Sequence, residues 1–134
     1  MSEQTKKIST FLTFSGNAEK AMNLYVSLFE DAKILSLTHF GEGDRGVVGQ
    51  VMNGEFEING QSFMVMDMEK QYAPELNWGV SIFVRCQDEA EFDRLFTTFS
   101  EGGSVMMGPE AVNQLRKVAW VTDSFGITWQ LIWE

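Results

Sequence analysis

The stretch "SFGITWQLIW" at residues 124–133 has the pattern of an extended strand with two unlike faces. Successive side chains of a strand point to opposite sides of its sheet, so alternate residues share a face. One face of this strand is entirely apolar and consists of Ile127, Trp129, Leu131 and Trp133. The other face carries an amide, Gln130, between Thr128 and Ile132. A buried amide needs hydrogen-bond partners, so Gln130 marks a candidate site.

A strand, a helix and three strands are predicted before residue 69. The first strand spans 8–14, and Asn17 is the predicted N-cap of an amphipathic helix that follows it. The next strand spans 33–40, and a long strand over 47–58 is predicted to break near Asn53-Gly54. Asn59-Gly60 is the strongest hairpin signal in the chain, because a type I′ turn needs two residues that tolerate positive φ. A strand over 61–68 completes the order βαβββ.

The same order is predicted again after a polar linker at 69–77. A strand over 78–86 precedes a helix that Asp88 caps, with Glu91 in capping-box position and Gly102-Gly103 at its end. Three more strands follow, although the pattern leaves their placement open within 104–117. "NGQSFMVMD" and "FGITWQLIW" also match each other locally, with a glycine before the strand and an aromatic residue three positions later. We therefore predict an α+β chain of two tandem modules, at about 7–68 and 78–134, forming one domain over 1–134. The alternative is an ordinary α+β sandwich in which the match is coincidence.

Composition restricts the class of partner. The net charge is −9 and the ten Lys and Arg residues form no run, so we expect no nucleic-acid binding. We also expect no membrane association and a cytoplasmic location, because no apolar run has the length of a span or the form of a signal peptide. The single cysteine, Cys86, ends an apolar strand and is interpreted as a small buried hydrophobe.

Four stretches of the chain together resemble one known family. They are "FLTFSGNAEKAMNLYVSLF", "FEINGQSFMVMD", "SIFVRC…DEAEFDRLF" and "VTDSFGITWQLI". The resemblance is to the PhnB-like proteins, also labelled demethylubiquinone 3-methyltransferases, of the vicinal oxygen chelate (glyoxalase/bleomycin resistance/dioxygenase) superfamily. It implies the glyoxalase/bleomycin resistance/dioxygenase fold, in which two βαβββ modules form curved mixed sheets around a cavity. It also implies a homodimer, since members commonly dimerise.

The resemblance further implies where a metal would bind. Metal-using relatives place four His or Glu ligands on cavity-facing strands, one of them a Glu four residues after the glycine of the last strand. Here that position is Gln130, and the other three fall on Thr10, Met64 and Val80, or Ser81 if the register slips. Such a set suits Zn²⁺ or Fe²⁺ poorly, because these ions prefer imidazole, carboxylate or thiolate. We therefore expect no metal and no cofactor.

The methyltransferase label finds little support in the residues. "GEGDRG" at 41–46 is rich in glycine but joins two predicted strands, whereas a nucleotide-binding turn leads from a strand into a helix. We interpret this stretch as a flexible loop.

The predicted ligand-binding residues combine a few polar groups with apolar and methionine side chains, as small-molecule pockets do. They are Thr10, Leu12, Met64, Met66, Val80 and Gln130. This assignment puts Thr10 and Leu12, with Phe14, on the inner face of the first strand. The leading hypothesis is metal-independent binding of a small molecule.

Two competing hypotheses remain. One is a metal-dependent lyase, isomerase or dioxygenase whose ligands lie elsewhere, with His39, Asp67, Glu57 or a residue of a partner chain as candidates. The other is a structural interaction module in which these side chains simply fill a closed core. As simpler readings, His39 is a surface or satisfied histidine, and Asp67 and Asp123 serve strand-end turns.

Overall fold

The computed structural model describes residues 6–134 and divides into two compact units, one ending at Pro74 and the other spanning Glu75–Glu134. Within residues 6–134, each unit contains one four-stranded sheet and one α-helix. Among the described residues, no helix is both long and apolar enough to cross a membrane.

The first unit contains five regular elements. They are β1 (Thr10–Phe14), α1 (Ala18–Leu28), β2 (Ala32–His39), β3 (Val51–Ile58) and β4 (Gln61–Asp67). The sheet order is β1-β4-β3-β2, with β1 parallel to β4 and the other neighbours antiparallel. A single 3-10 turn, Lys70–Tyr72, follows within the predicted linker.

The second unit repeats this arrangement. Its elements are β5 (Ser81–Cys86), α2 (Glu89–Ser100), β6 (Ser104–Val112), β7 (Leu115–Thr122) and β8 (Thr128–Trp133). The sheet order is β5-β8-β7-β6, with β5 parallel to β8 and the other neighbours antiparallel. Each strand thus occupies the same place in its sheet as the corresponding strand of the first unit. The predicted α+β fold of two βαβββ modules is therefore confirmed.

Each sheet buries one face against its own helix, and we call this side the helix face. In the first unit, the ring of Tyr25 on α1 lies 6.1 Å from that of Phe56 on β3, which stacks on Phe63 of β4 at 5.0 Å. In the second, Phe99 of α2 stacks on Trp129 of β8 at 4.3 Å. The apolar face identified in the sequence at 127–133 is thus the helix face. The opposite side of each sheet, which carries Gln130 in the second unit, is called the distal face.

The predicted hairpin and the second helix cap are both confirmed. Asn59 and Gly60 have φ of 51° and 82°, as a type I′ turn requires. The Asp88 carboxylate accepts the Glu91 N–H at 2.8 Å, and Glu91 in turn accepts the N–H of Gln87. Two acceptors therefore satisfy N–H groups that a bare helix start would leave open.

The predicted cap of the first helix is wrong. The Asn17 side chain makes no capping hydrogen bond. Instead the buried carboxylate of Asp67, at the end of β4, accepts the N–H groups of Gly16 at 2.7 Å and Ala18 at 3.0 Å through Oδ1. Its Oδ2 accepts the N–H of Val51 at 2.9 Å. Asp67 thus joins the start of the helix to two strands, a long-range contact that local sequence cannot reveal.

The predicted strand break at Asn53-Gly54 is also wrong, since β3 is continuous there. Gly54 serves a close approach: a Cβ at this position would lie 2.9 Å from a Val65 methyl and 3.3 Å from the Met22 sulfur. The absent side chain lets α1 pack directly on the sheet. The second module's first strand begins at Ser81 rather than at residue 78.

The region left open in the sequence, 104–117, forms most of an irregular hairpin. β6 shifts register against β7 between Val105 and Met107 and twice more before Val112. A Cβ at Gly108 would lie 2.1 Å from the Val118 carbonyl oxygen, so only glycine fits at this position beside the β7 backbone. These shifts hide the alternation that would identify the strand from its sequence.

Candidate functional site

Gln130 occupies the centre of a three-residue row across the distal face of the second sheet. Residues paired directly on neighbouring strands project to the same side of a sheet. Gln130 of β8 pairs with Phe83 of β5 on one side and with Trp120 of β7 on the other. The amide is half-buried, and the Phe83 ring is 47% exposed. An amide therefore lies between two aromatic side chains.

The polar groups beside this row are organised by hydrogen bonds. Gln130 Nε2 donates to Ser81 Oγ at 2.9 Å, which fixes one end of the amide. One row further along, the hydroxyls of Thr122 and Thr128 share a hydrogen bond of 2.7 Å. Thr128 is buried, and this hydrogen bond satisfies its hydroxyl without a ligand.

One donor in the row has no acceptor. Trp120 Nε1 is buried and makes no hydrogen bond to any described residue. The ring of Trp78 packs edge-on against the Trp120 ring at 5.5 Å between centroids. By contrast, Trp129 Nε1 on the helix face donates to Asp123 Oδ2 at 3.0 Å. Of these two indoles, that of Trp129 therefore has an acceptor, and that of Trp120 has none among the described residues.

The first sheet has a comparable row. Met64 lies four residues after Gly60, as Gln130 lies four after Gly126, and it pairs with Phe11 of β1 and Glu55 of β3. Phe11 is 50% exposed, close to the value for Phe83. The carboxylate of Glu55 accepts a hydrogen bond from the buried Ser62 hydroxyl at 3.1 Å, and Ser62 also bonds Ser9 at 2.7 Å.

The six predicted ligand-binding residues are not all on one face. Met64 and Met66 lie on the distal face of the first sheet, and Gln130 lies on that of the second. Thr10 pairs with Phe63, and Leu12 pairs with Val65, so both project to the helix face. The face assigned to β1 was therefore wrong, because the parallel pairing of β1 with β4 sets which residues align and no local signal reports it.

Val80 lies outside the strand to which it was assigned. It precedes β5 and is 73% exposed. Ser81, the residue reached if the register slips by one, is the one that contacts Gln130. Sequence reasoning also missed Phe11, Phe83 and Trp120. Period-two counting along β5 from Ser81 would have found Phe83, whereas Trp120 requires the β7–β8 register.

The residues of these rows do not suit a divalent metal. The row at Gln130 offers a neutral amide, a hydroxyl and aromatic rings, and the row at Met64 offers one carboxylate beside a thioether. Zn²⁺ and Fe²⁺ favour several imidazole, carboxylate or thiolate ligands together. Within residues 6–134, no three His, Cys, Asp or Glu side chains are grouped so that they could hold a metal ion.

The other residues considered for metal binding have structural partners. His39 Nε2 lies 2.7 Å from Glu19 Oε1, and Glu57 lies 3.6 Å from the Lys33 ammonium. Asp67 holds the three N–H groups described above. Burial raises the pKa of the Cys86 thiol from 9.0 to about 12, which keeps it protonated and unreactive at neutral pH. The interpretation of Cys86 as a buried hydrophobe is confirmed.

Two βαβββ modules with these sheet orders define the class of the protein by its fold, which is the glyoxalase/bleomycin resistance fold. A family model described as 3-demethylubiquinone-9 3-methyltransferase matches residues 6–132. The chain belongs to this family, whose solved members include PhnB-like proteins. The resemblance stated from the sequence motifs is confirmed.

Solved structures agree with this assignment. A putative 3-demethylubiquinone-9 3-methyltransferase, PhnB protein, from Bacillus cereus is 35% identical with a TM-score of 0.91, over 96% of this chain and 100% of that one. Protein PA1353 from Pseudomonas aeruginosa is 26% identical with a TM-score of 0.83, over 97% and 98%. A glyoxalase/bleomycin resistance protein from Albidiferax ferrireducens shares the fold at 12% identity, with a TM-score of 0.59 over 96% and 99%. No functionally curated protein matches the chain.

Proposed function

We propose that this chain binds a small molecule without a metal, at the distal face of the second sheet around Gln130. The observation that carries the proposal is the row Phe83–Gln130–Trp120, in which a positioned amide and a donor without an acceptor lie between aromatic rings. A few fixed polar groups within apolar and aromatic surroundings are typical of small-molecule sites. Binding by such a row needs no ion.

Gln130 supports this proposal further through its place in the strand. It stands where metal-using relatives of the superfamily carry a Glu, according to the resemblance described above. Replacing a carboxylate by an amide removes the negative charge that would balance a divalent ion, but retains a donor and an acceptor. We infer that the position has kept its orienting role and has lost its metal-binding role.

We do not extend to this chain the methyl transfer that the family's description names. The glycine-rich loop at 41–46 joins β2 to β3, and Asp44 closes it by accepting the Gly41 N–H at 2.8 Å. It leads into a strand, whereas a nucleotide-binding glycine turn places phosphate at a helix N-terminus. We also propose a single domain, a homodimer and a cytoplasmic location; size-exclusion chromatography with light scattering tests the dimer.

A thermal-shift screen tests the proposal. Fragments are screened against protein held in EDTA, and each hit is titrated against Gln130→Leu and against Gln114→Leu as the matched control. Gln114 lies exposed in the β6–β7 turn, so its loss should change affinity less than twofold. Loss of an orienting hydrogen bond at Gln130 should weaken binding about tenfold, or about 1.4 kcal/mol.

Two results would contradict the proposal. Hits that bind only after Zn²⁺, Mn²⁺ or Fe²⁺ is added would favour a metal-dependent enzyme with other ligands. Saturable binding that Gln130→Leu and Gln114→Leu leave equally unchanged would place the ligand elsewhere.

A further inference from the structure

The indole N–H of Trp120, which has no acceptor among the described residues, lies beside an unused acceptor on the neighbouring strand, the amide oxygen of Gln130. Trp120 Nε1 is a buried donor without a partner among the described residues, which is rare in folded proteins. Gln130, its direct partner on β8, commits Nε2 to Ser81. The carbonyl oxygen of the same amide, Oε1, receives no hydrogen bond from the described side chains. A donor and an acceptor therefore lie on adjacent strands at the same register position.

The groups around this pair set the shape of what could bind there. Phe83 pairs with Gln130 on the side away from Trp120, and its ring is half exposed. Trp78 is 57% exposed and contacts Trp120 only edge-on, which leaves the indole N–H at best a weak N–H···π contact. Trp78 also lies before β5, outside the hydrogen-bonded sheet, so a ligand that reaches Trp120 Nε1 has to displace this one side chain and no strand. Aromatic rings on two sides favour a flat apolar body.

The charges around the pair favour an uncharged ligand. The residues of this row and of the neighbouring Ser81–Thr128–Thr122 row carry no charge at any pH between 4 and 9, roughly. The guanidinium of Arg85 lies 5.0 Å from the Phe83 ring centre and stacks on that ring. The chain as a whole carries −9, which repels anions.

We propose that Trp120 and Gln130 bind the carboxamide of an uncharged aromatic ligand. The ligand's carbonyl oxygen accepts from Trp120 Nε1, and its N–H donates to Gln130 Oε1. The proposal rests on the proposed function above and adds the chemical class of the ligand. A carboxamide is the simplest group that offers an acceptor and a donor side by side, in the order that this pair requires.

The test uses four probes of similar shape: benzamide, benzoate, acetophenone and toluene. Each is titrated into full-length protein while the four tryptophan indole N–H resonances are followed by NMR. Trp120→Phe removes the donor, and Gln130→Leu removes the acceptor. Trp133→Phe is the matched control, because Trp133 contacts Arg116 and projects to the helix face.

We expect benzamide to bind most tightly and to shift the Trp120 indole resonance in a saturable way. Acetophenone and benzoate should each bind about tenfold more weakly, and toluene weaker still. Trp120→Phe and Gln130→Leu should each reduce benzamide affinity about tenfold, whereas Trp133→Phe should change it less than twofold. The NMR spectrum of each variant shows whether the variant is folded. If Trp120→Phe or Gln130→Leu does not fold, the benzamide affinity of the other is compared with that of Trp133→Phe.

The outcomes separate this inference from the proposed function. Benzoate binding as tightly as benzamide would overturn the uncharged class. Benzamide that leaves the Trp120 resonance unmoved, while other fragments shift Gln130, would overturn the carboxamide assignment and leave the binding function standing. No fragment binding at Gln130 at all would overturn both.

Discussion

Asp67→Ala should destabilise the first unit more than any exposed carboxylate change. The Asp67 carboxylate is 3% exposed and accepts three backbone N–H groups, from Gly16, Ala18 and Val51. The Ala18 and Val51 bonds are buried, and the Gly16 bond is partly buried. After the substitution, water can bond the N–H of Gly16 more readily than those of Ala18 and Val51, which therefore carry most of the cost.

The magnitude follows from the two buried bonds. A buried N–H left without a partner costs about 1–3 kcal/mol, so two such groups cost about 2–6 kcal/mol. Removing a buried carboxylate recovers part of its desolvation cost, and we expect a net loss of about 2–5 kcal/mol. This is a large share of a typical unfolding free energy of about 5–15 kcal/mol. The loss of unfolding free energy for Asp67→Asn should be smaller than that for Asp67→Ala, because the amide keeps one oxygen that can accept an N–H.

The assay is urea unfolding followed by far-UV circular dichroism beside tryptophan fluorescence. Both signals are needed, because all four tryptophans, at 78, 120, 129 and 133, lie in the second unit. The control is Asp44→Ala, an exposed carboxylate that accepts one N–H, from Gly41 at 2.8 Å. It should cost less than about 1 kcal/mol. If Asp67→Ala lost no more than Asp44→Ala, the reasoning that Asp67 holds these segments together would be refuted.

Three further predictions address local features of the fold. Asp88→Ala should cost about 1 kcal/mol, because it frees the Glu91 N–H at the start of α2; urea unfolding of the variant measures this, and an unchanged midpoint would contradict the capping role. Gly54→Ala should lower the unfolding free energy by about 1–3 kcal/mol, because its Cβ would lie 2.9 Å from the Val65 side chain. Gly41→Ala is the control and should be nearly neutral in the same assay, because the nearest atom to its Cβ would lie at 3.7 Å. Cys86 should react with iodoacetamide at pH 8 at least tenfold more slowly in native than in urea-unfolded protein, because burial raises the thiol pKa to about 12 and so lowers the thiolate fraction. Equal rates, followed by mass spectrometry, would show that burial does not hold the thiol protonated. Native reactivity should rise with pH toward 12.

The sequence predicted what depends on local spacing. The alternation at 127–133 identified both faces of β8, and Asn59-Gly60 identified the hairpin, because each signal lies within a few residues of the feature it describes. The Asp88 cap was found for the same reason. Counting four residues from each glycine also placed Met64 and Gln130 at matching positions.

What was missed depends on contacts between distant segments. The face of Thr10 and Leu12 follows from the pairing of β1 with β4, about fifty residues away in sequence. The partner of Gln130 on β7 likewise follows from a register that no turn residue near Trp120 specifies. Asp67 was correctly read as a strand-end residue, but the helix start that it holds lies across the fold. Local patterns thus identified the strands, and tertiary pairing decided which side chains share a site.

The side-chain amide resonances of Gln130 provide the most direct test of the central claim, that a small molecule binds at this residue without a metal. They are followed by NMR in EDTA while the strongest hit of the fragment screen is added to the full chain. We predict that they shift saturably, with the same Kd as the thermal-shift titration. Resonances that stay unmoved while the protein is saturated, or that shift only after a divalent metal is supplied, would contradict it.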